Sequence, residues 1–243
     1  MKITGYGPWT LTLGSDREHE LQMLQASLYQ KVQELFSKKN GLVFPNRSDE
    51  FFAVTNKISL DEHVEIQKEL ESKFEIKLSM SIGFGTSPFD ANVLANESKK
   101  SKKLLNEKYS IFGSMNGKEE QNVTIMHLDV DSLSEKRKMI SPYETSSLMF
   151  KLYSKMSDFF LQKSSLSFFM GGDNFMVISN SEHKENAQEF INVIKHEMDL
   201  ILNCGIGSGS TARDAAKLAT KSLDTIREIR DSGKEKPEVY ELK

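Results

Sequence analysis

The chain has 243 residues, of which 38% are hydrophobic and 28% charged, and its formal net charge at pH 7 is -3. This composition is typical of a globular protein of one large or two moderate domains, and the slight acidic excess argues against a dedicated nucleic-acid-binding protein. The only cysteine, Cys204, excludes an internal disulfide and a cysteine-rich zinc cluster, and its apolar neighbours predict a small core residue.

No stretch of the sequence approaches the roughly 18 consecutive apolar residues that a membrane-spanning helix needs. Residues 1–6 also lack the apolar core of a signal peptide. We therefore expect a cytoplasmic protein that contacts neither membrane nor nucleic acid.

The first half of the chain predicts alternating strands and helices. Apolar residues at Leu21, Leu24, Leu28 and Val32 have the spacing of a helix that buries one face. By the same reasoning the elements are a strand at about 1–6, a helix at 17–36, a hairpin at 42–54, a helix at 60–74, a strand at 76–84 and a helix at 88–105.

The second half predicts the same order of elements. These are a strand at about 122–130, a helix at 143–162, a hairpin around 168–178, a helix at 184–198, a strand at 200–207 and a helix from about Thr211 to Ile229. Residues 107–121 are rich in glycine, asparagine and charge and predict a linker, and the polar tail from Asp231 is expected to be loosely ordered.

The two halves are also similar in sequence. Ser81-Ile82-Gly83-Phe84-Gly85 resembles Gly205-Ile206-Gly207-Ser208-Gly209 at an offset of 124 residues, and the same offset places Asp49 on Asp173. We therefore predict an α+β protein with two tandem ferredoxin-like domains, residues 1–106 and 122–243. Each would be an antiparallel sheet with helices on one face.

Two acidic positions predict a cation site in the second half. Phe169-Met170-Gly171-Gly172-Asp173-Asn174-Phe175 predicts a hairpin with Asp173 at its tip, and Asp129 lies near the end of the preceding strand, with Asp131 a less favoured third acid. Carboxylate oxygens and substrate phosphates are the ligands that Mg²⁺ prefers. Alternatively, the glycines form only a turn and Asp129 is a polar strand end.

Three other features have competing interpretations. His127 shares a strand face with Asp129 and is either a general base or, more simply, a half-buried strand residue. The glycines at 205, 207 and 209 favour close packing over nucleotide contact, and Thr211 is a candidate helix N-cap with Asp214 three residues on. The basic stretch 98–103 favours a solvated helix face over a phosphate site.

Motifs in both halves resemble one known family, archaeal GTP cyclohydrolase III, also called GTP cyclohydrolase IIa. The matching segments, which extend over essentially the whole chain, are Tyr6-Gly7-Pro8-Trp9-Thr10, Arg17, Leu24-Gln25-Ala26-Ser27-Leu28-Tyr29, Gly41-Leu42-Val43-Phe44, Arg47, Asp49, His127-Leu128-Asp129, Phe168-Phe169-Met170-Gly171-Gly172-Asp173-Asn174-Phe175-Met176, Gly205-Ile206-Gly207, Thr211-Ala212 and Asp214-Ala215.

The resemblance implies a pair of domains similar to polymerase palms and nucleotidyl cyclases. It implies hydrolysis of GTP to a formamidopyrimidine nucleotide monophosphate with release of phosphate, as the first step toward riboflavin and deazaflavin coenzymes in archaea. It further implies dependence on Mg²⁺, with two ions expected, activation by a monovalent cation such as K⁺, and self-association.

The resemblance also implies roles for individual residues. The expected catalytic residues are His127, Asp129 and Asp173, and the expected metal ligands are Asp129, Asp173 and Asp49. The expected substrate-binding residues are Tyr6, Gly7, Pro8, Trp9, Arg17, Arg47, Gly171, Gly172 and Asn174. Arg47 has a guanidinium suited to clamp a phosphate, and the alternative for it is a surface arginine.

One position departs from the family pattern. Thr4 stands where the family usually has an aspartate, so Asp49 lacks a carboxylate partner on the first strand. The sequence does not decide which half holds the metal. Two alternatives to the cyclohydrolase stay open: a non-catalytic GTP-binding protein, which Thr4 favours, and a nucleotidyl (diguanylate) cyclase, which Gly171-Gly172-Asp173 favours.

Overall fold

The computed structural model describes residues 1–114, 122–131, 133, 138 and 140–242. They fall into two compact units, the first comprising residues 1–86 and 90–114 and the second comprising residues 87–89 and those from 122 onward. No helix among the described residues has the length and apolar character needed to cross a bilayer.

The first unit contains a six-stranded sheet and four α-helices. In chain order the elements are β1 (Lys2–Ile3), α1 (Tyr6–Thr10), a 3₁₀ helix (Leu11–Leu13), α2 (Glu18–Lys38), β2 (Leu42–Arg47), β3 (Glu50–Val54), α3 (Leu60–Phe74), β4 (Leu78–Ile82), α4 (Pro88–Lys100), β5 (Leu104–Asn106) and β6 (Ile111–Gly113). The strand order is β2-β3-β1-β4-β6-β5.

The second unit repeats this arrangement with a five-stranded sheet. Its elements are β7 (Val123–Val130), α5 (Pro142–Gln162), β8 (Leu166–Gly171), β9 (Asn174–Ser179), α6 (His183–Met198), β10 (Leu202–Gly209), α7 (Ala212–Asp231) and β11 (Val239–Leu242). The strand order is β11-β10-β7-β9-β8. The predicted α+β class and the βαββαβ order are confirmed in both units.

Several details of the strands differ from the sequence-based expectation. The helix predicted over 88–105 ends at Lys100, and β5 occupies Leu104–Asn106. β6 lies within the segment expected to be a linker, and β11 lies within the tail expected to be loosely ordered. β6 pairs in parallel with β4, and β11 in parallel with β10, so both sheets are mixed rather than purely antiparallel. The segment expected as a strand at 1–6 is shorter, because α1 already begins at Tyr6.

Helices cover both faces of the second sheet, so the prediction of helices on one face only is wrong for this unit. Side chains alternate along β7, so Met126, Leu128 and Val130 enter a buried core with residues of α5 and α6. The opposite face, which carries His127 and Asp129, lies against α7. Helix α7 packs closely on this face, as shown by the fact that a Cβ added at Gly205 or Gly207 would overlap backbone atoms of Ala219. The packing role predicted for these glycines is confirmed.

Cys204 belongs to the same core and is fully buried. Burial raises the pKa of its thiol, so the reactive thiolate is scarce in the folded protein. We expect a thiol reagent such as dithionitrobenzoate to react with Cys204 only after urea unfolds the second unit. Rapid labelling of the native protein would contradict this core position.

The sheet registers reveal how the two units correspond. Lys2 lies opposite Ser79 in the first sheet, and Asp129 lies opposite Asn203 in the second. The repeat offset of 124 residues relates Ser79 to Asn203. In addition, Thr4 N–H donates to Lys77 O (2.7 Å) in the way that Asp131 N–H donates to Ile201 O (2.8 Å). Lys2 is therefore the structural counterpart of Asp129, and Thr4 that of Asp131.

Candidate active site in the second unit

The β8–β9 hairpin places Asp173 at its tip. Gly171 has φ 99° and Gly172 has φ 63°, and only glycine adopts such values readily, which explains the Gly-Gly pair before the acid. Asn174 opens β9, and its side-chain Nδ2 donates a hydrogen bond to Asp173 Oδ1 at 3.0 Å. The predicted hairpin is confirmed, and an amide fixes its carboxylate.

His127 lies between the hairpin and helix α7. Its Nε2 is 3.2 Å from Asn174 Oδ1 and its Nδ1 is 3.1 Å from Thr220 Oγ1. Burial lowers the pKa of His127 in spite of the Asn174 hydrogen bond and the nearby Asp129 charge, so the ring is neutral at pH 7. Both interpretations made from the sequence agree with this half-buried position, but both ring nitrogens already have partners.

Asp129 lies two residues further along the same strand face and is 6% exposed. Its Oδ2 accepts hydrogen bonds from Arg227 Nη2 (2.6 Å) and Nε (3.2 Å), while its Oδ1 is buried without a hydrogen-bond partner among the described residues. An ionised oxygen without a partner is costly in the protein interior. Asp129 therefore has one satisfied oxygen and one that a cation would satisfy.

Asp131 has two cationic partners. Its Oδ1 accepts from Arg230 Nη1 at 2.8 Å, and its Oδ2 is 3.2 Å from Lys236 Nζ. Burial alone would raise the pKa of Asp131, but the Arg230 and Lys236 hydrogen bonds outweigh it and hold the pKa below its usual value. Both oxygens are thus engaged by cations, which makes Asp131 a weaker candidate ligand than Asp129.

Sequence reasoning missed the polar side of α7. Thr220 and Arg227 are two helical turns apart and flank the buried side chains Leu223 and Ile226, so they face the same sheet. The sequence does contain a signal for these residues, because each apolar residue of the α7 stripe has a polar residue next to it. Thr211 does cap this helix as predicted, because its Oγ1 accepts from Asp214 N–H at 3.2 Å.

The first unit has a different charge arrangement at the corresponding place. Asp49, in the turn between β2 and β3, is 3.5 Å from the ammonium of Lys2. The counterparts of Asp129 and Asp131 are a lysine and a threonine, so neither strand carboxylate is present. Asp49 therefore faces a cation of its own unit where Asp173 has a second carboxylate on the neighbouring strand.

The other predicted substrate-binding residues also lie in the first unit. Tyr6, Gly7, Pro8 and Trp9 form α1, in which Tyr6 OH accepts from Gln25 Nε2 (2.7 Å) and its ring centroid is 5.9 Å from that of Trp9. The two predicted arginines are separate from this helix: Arg17 Nη1 donates to Gly14 O (2.7 Å), and Arg47 is exposed at the end of β2, opposite Glu50.

The described side chains do not by themselves form a complete metal cage. Among residues 1–114, 122–131, 133, 138 and 140–242, no three histidine, cysteine, aspartate or glutamate side chains are grouped as metal ligands. Mg²⁺ commonly takes only one or two carboxylates together with substrate phosphates and water. A pair of carboxylates is therefore sufficient protein ligation for a site completed by substrate.

The amino-acid sequence is similar to known proteins over nearly the full length of the chain. The family model of GTP cyclohydrolase III matches residues 1–239. Two relatives named GTP cyclohydrolase III, from Methanothermobacter thermautotrophicus and Methanocaldococcus jannaschii, are each 34% identical over 93% of this chain, covering 92% and 86% of their own lengths. Among solved structures, the active GGEEF domain of a diguanylate cyclase from Vibrio cholerae matches 44% of this chain and 78% of that domain, at 14% identity and a TM-score of 0.37.

Proposed function

Since the chain belongs to the GTP cyclohydrolase III family, we propose that it is a hydrolase that acts on GTP in the second unit. The reaction opens the guanine imidazole ring and releases phosphate, giving a formamidopyrimidine ribonucleotide 5′-monophosphate. This product would begin archaeal riboflavin and deazaflavin synthesis in the cytoplasm, in a homo-oligomeric enzyme. The observation that supports this choice of unit is the oriented Asp173 carboxylate at the tip of the β8–β9 hairpin, which lies beside the strand of the half-satisfied Asp129.

The donor atoms fit a magnesium-dependent reaction. Asp129 Oδ1 is buried without a partner among the described residues, and Asp173 is bonded through one oxygen to a neutral amide. Both are hard carboxylate oxygens, which suit Mg²⁺, and we propose them as its protein ligands. When bound, up to two Mg²⁺ ions would supply charge neutralisation at the triphosphate and activation of water, and a monovalent cation such as K⁺ belongs to the same proposal.

Arg227 contributes positive charge that belongs to the protein itself. Its guanidinium bridges Asp129 and Asp224, with Nη1 2.9 Å from Asp224 Oδ1. It therefore fixes the Asp129 carboxylate through Oδ2 and leaves the buried Oδ1 without a hydrogen-bond partner among the described residues. A guanidinium beside a triphosphate also stabilises the negative charge that develops during phosphoanhydride hydrolysis.

The proposal is tested by incubating the purified chain with GTP, Mg²⁺ and K⁺. We expect the ultraviolet spectrum of guanine to change, and mass spectrometry to detect a monophosphate heavier than GMP by two hydrogens and one oxygen. GTP recovered unchanged would contradict the hydrolase. A cyclic nucleotide product would instead identify a nucleotidyl cyclase.

A second candidate is a non-catalytic GTP-binding protein. It is favoured by the cations that already neutralise Asp129 and Asp131, and by Lys2 and Thr4 in the first unit. This candidate predicts that calorimetry detects saturable GTP binding while the nucleotide is recovered intact. Product formation in the preceding assay excludes it.

A further inference from the structure

Three consecutive hydrogen bonds connect helix α7 to the tip of the β8–β9 hairpin. Thr220 Oγ1 contacts His127 Nδ1, His127 Nε2 contacts Asn174 Oδ1, and Asn174 Nδ2 contacts Asp173 Oδ1, at 3.1, 3.2 and 3.0 Å. The connection crosses from α7 to β7, then to β9 and into the turn. It joins groups that are distant in sequence and ends on the proposed metal ligand.

The acceptor at one end determines the direction of every bond. Asp173 is a carboxylate, so Asn174 must turn its NH₂ group toward it and present Oδ1 to the histidine ring. Nε2 of the neutral His127 then carries the proton and donates it, which leaves the Nδ1 lone pair to accept from the Thr220 hydroxyl. The Asp173 carboxylate thus selects the histidine tautomer, and the Thr220 hydroxyl holds the ring in place by donating to Nδ1.

This arrangement accounts for how an exposed turn can hold its carboxylate in one orientation. Gly171 and Gly172, which precede Asp173, are both exposed and bring no side chain to the turn. Asn174 supplies the donor that fixes Asp173, and the ring of His127 prevents the amide from rotating. Partners of this kind, one shell behind a ligand, set its direction and the affinity for the ion.

The described residues of the first unit, 1–114, show no corresponding series of hydrogen bonds. By the repeat offset of 124, Glu50 is the counterpart of Asn174, and Glu50 Oε2 accepts a hydrogen bond from Asn46 Nδ2 (2.9 Å) rather than donating one. A carboxylate has no donor to offer Asp49. The chain of bonds is therefore restricted to the unit that keeps the strand carboxylate, as expected if it serves the cation site rather than the fold.

We propose that Thr220, His127 and Asn174 are positioning residues that orient Asp173 toward a divalent cation, an inference that rests on the proposed function. In this role His127 acts through Asn174 and not as the general base. The cation is Mg²⁺ or a substitute of similar ligand preference such as Mn²⁺.

The test compares Thr220→Val with Thr220→Ser, using Mn²⁺ titration of the full chain followed by electron paramagnetic resonance. Because the valine variant loses the hydroxyl that holds the His127 ring through Nδ1, we expect its Mn²⁺ affinity to fall about tenfold. Its kcat for GTP should fall by a similar factor while KM stays unchanged. The serine variant keeps the hydroxyl and should recover both quantities.

Thr124→Val is the matched control. Thr124 also lies in the second unit, and its hydroxyl bonds Ser208 Oγ at 2.8 Å across β7 and β10, outside the chain of bonds. We expect this variant to retain the wild-type Mn²⁺ affinity and kcat. If Thr220→Val is unfolded in a urea titration, His127→Phe replaces it, because phenylalanine keeps a ring and loses both bonds.

Two results would overturn the inference: wild-type Mn²⁺ affinity in the folded Thr220→Val variant, or a serine variant as weak as the valine one. The Mn²⁺ measurement requires no turnover. If the wild-type and variant proteins rank in Mn²⁺ affinity as predicted but the wild-type protein leaves GTP intact, the cyclohydrolase is disproved and the positioning role is kept.

Discussion

Asp173→Asn is expected to lower kcat/KM for GTP about a thousandfold, which corresponds to about 4 kcal/mol of transition-state stabilisation. The substitution keeps the size of the side chain but removes the charge that would hold a divalent cation. The steady-state rate of GTP loss, measured over a range of Mg²⁺ concentrations, checks the result. Excess Mg²⁺ should restore little activity, because asparagine is a poor substitute for an ionised ligand.

Asp49→Asn is the matched comparison in the first unit. Asp49 is paired with Lys2, whose side chain is 39% exposed, and such a surface pair contributes little to stability. We expect kcat/KM to stay within about threefold of the wild-type value. The opposite pattern, a silent Asp173→Asn and an inactive Asp49→Asn, would place the metal in the first unit.

Gly207→Ala is expected to lower the free energy of unfolding of the second unit by about 3 kcal/mol or more. The added Cβ would overlap Ala219 N and Ala215 O, which are backbone atoms of α7 and cannot rotate away as a side chain would. Helix α7 must therefore move off β10. Urea denaturation measures the loss of stability.

The same substitution should weaken Mn²⁺ binding, because Thr220 and Arg227 are both on the displaced helix. Gly7→Ala is the stability control: it lies in α1, and an added Cβ meets no atom within 4 Å. Alanine is the better helix former, so the control should leave stability unchanged or slightly higher. Equal stability of the two alanine variants would contradict the close packing of α7.

Most of the fold follows from local patterns in the sequence. Apolar spacing located the long helices, and the Gly-Gly-Asp-Asn turn located the hairpin at the candidate site. The missed strands β5, β6 and β11 have only three or four residues each, and each depends on pairing with another strand: β5 with β6, β6 with β4 and β11 with β10. Such short elements carry no periodicity of their own and form because a neighbour offers free backbone groups.

The candidate site was predictable in its residue types but not in their pairing. The sequence identified Asp129, Asp173 and His127, yet Arg227 binds Asp129 from a helix 98 positions later. The correspondence of Lys2 with Asp129 was not predicted either, because β1 and β7 correspond at a sequence offset different from the 124 residues that relate the other elements. Strand register depends on pairing across the sheet, and a small slip changes which side chain faces the site.

Because of the Lys2–Asp49 pair, the two units would depend differently on the concentration of divalent cations in solution. A lysine ammonium is part of the polypeptide and is present at every ion concentration, whereas a divalent cation is held only as far as its supply and affinity allow. In a chelating buffer the first unit would keep its cation, and Asp129 Oδ1 in the second would remain unsatisfied. Only one half of this duplicated chain would then respond to the magnesium level of the cell.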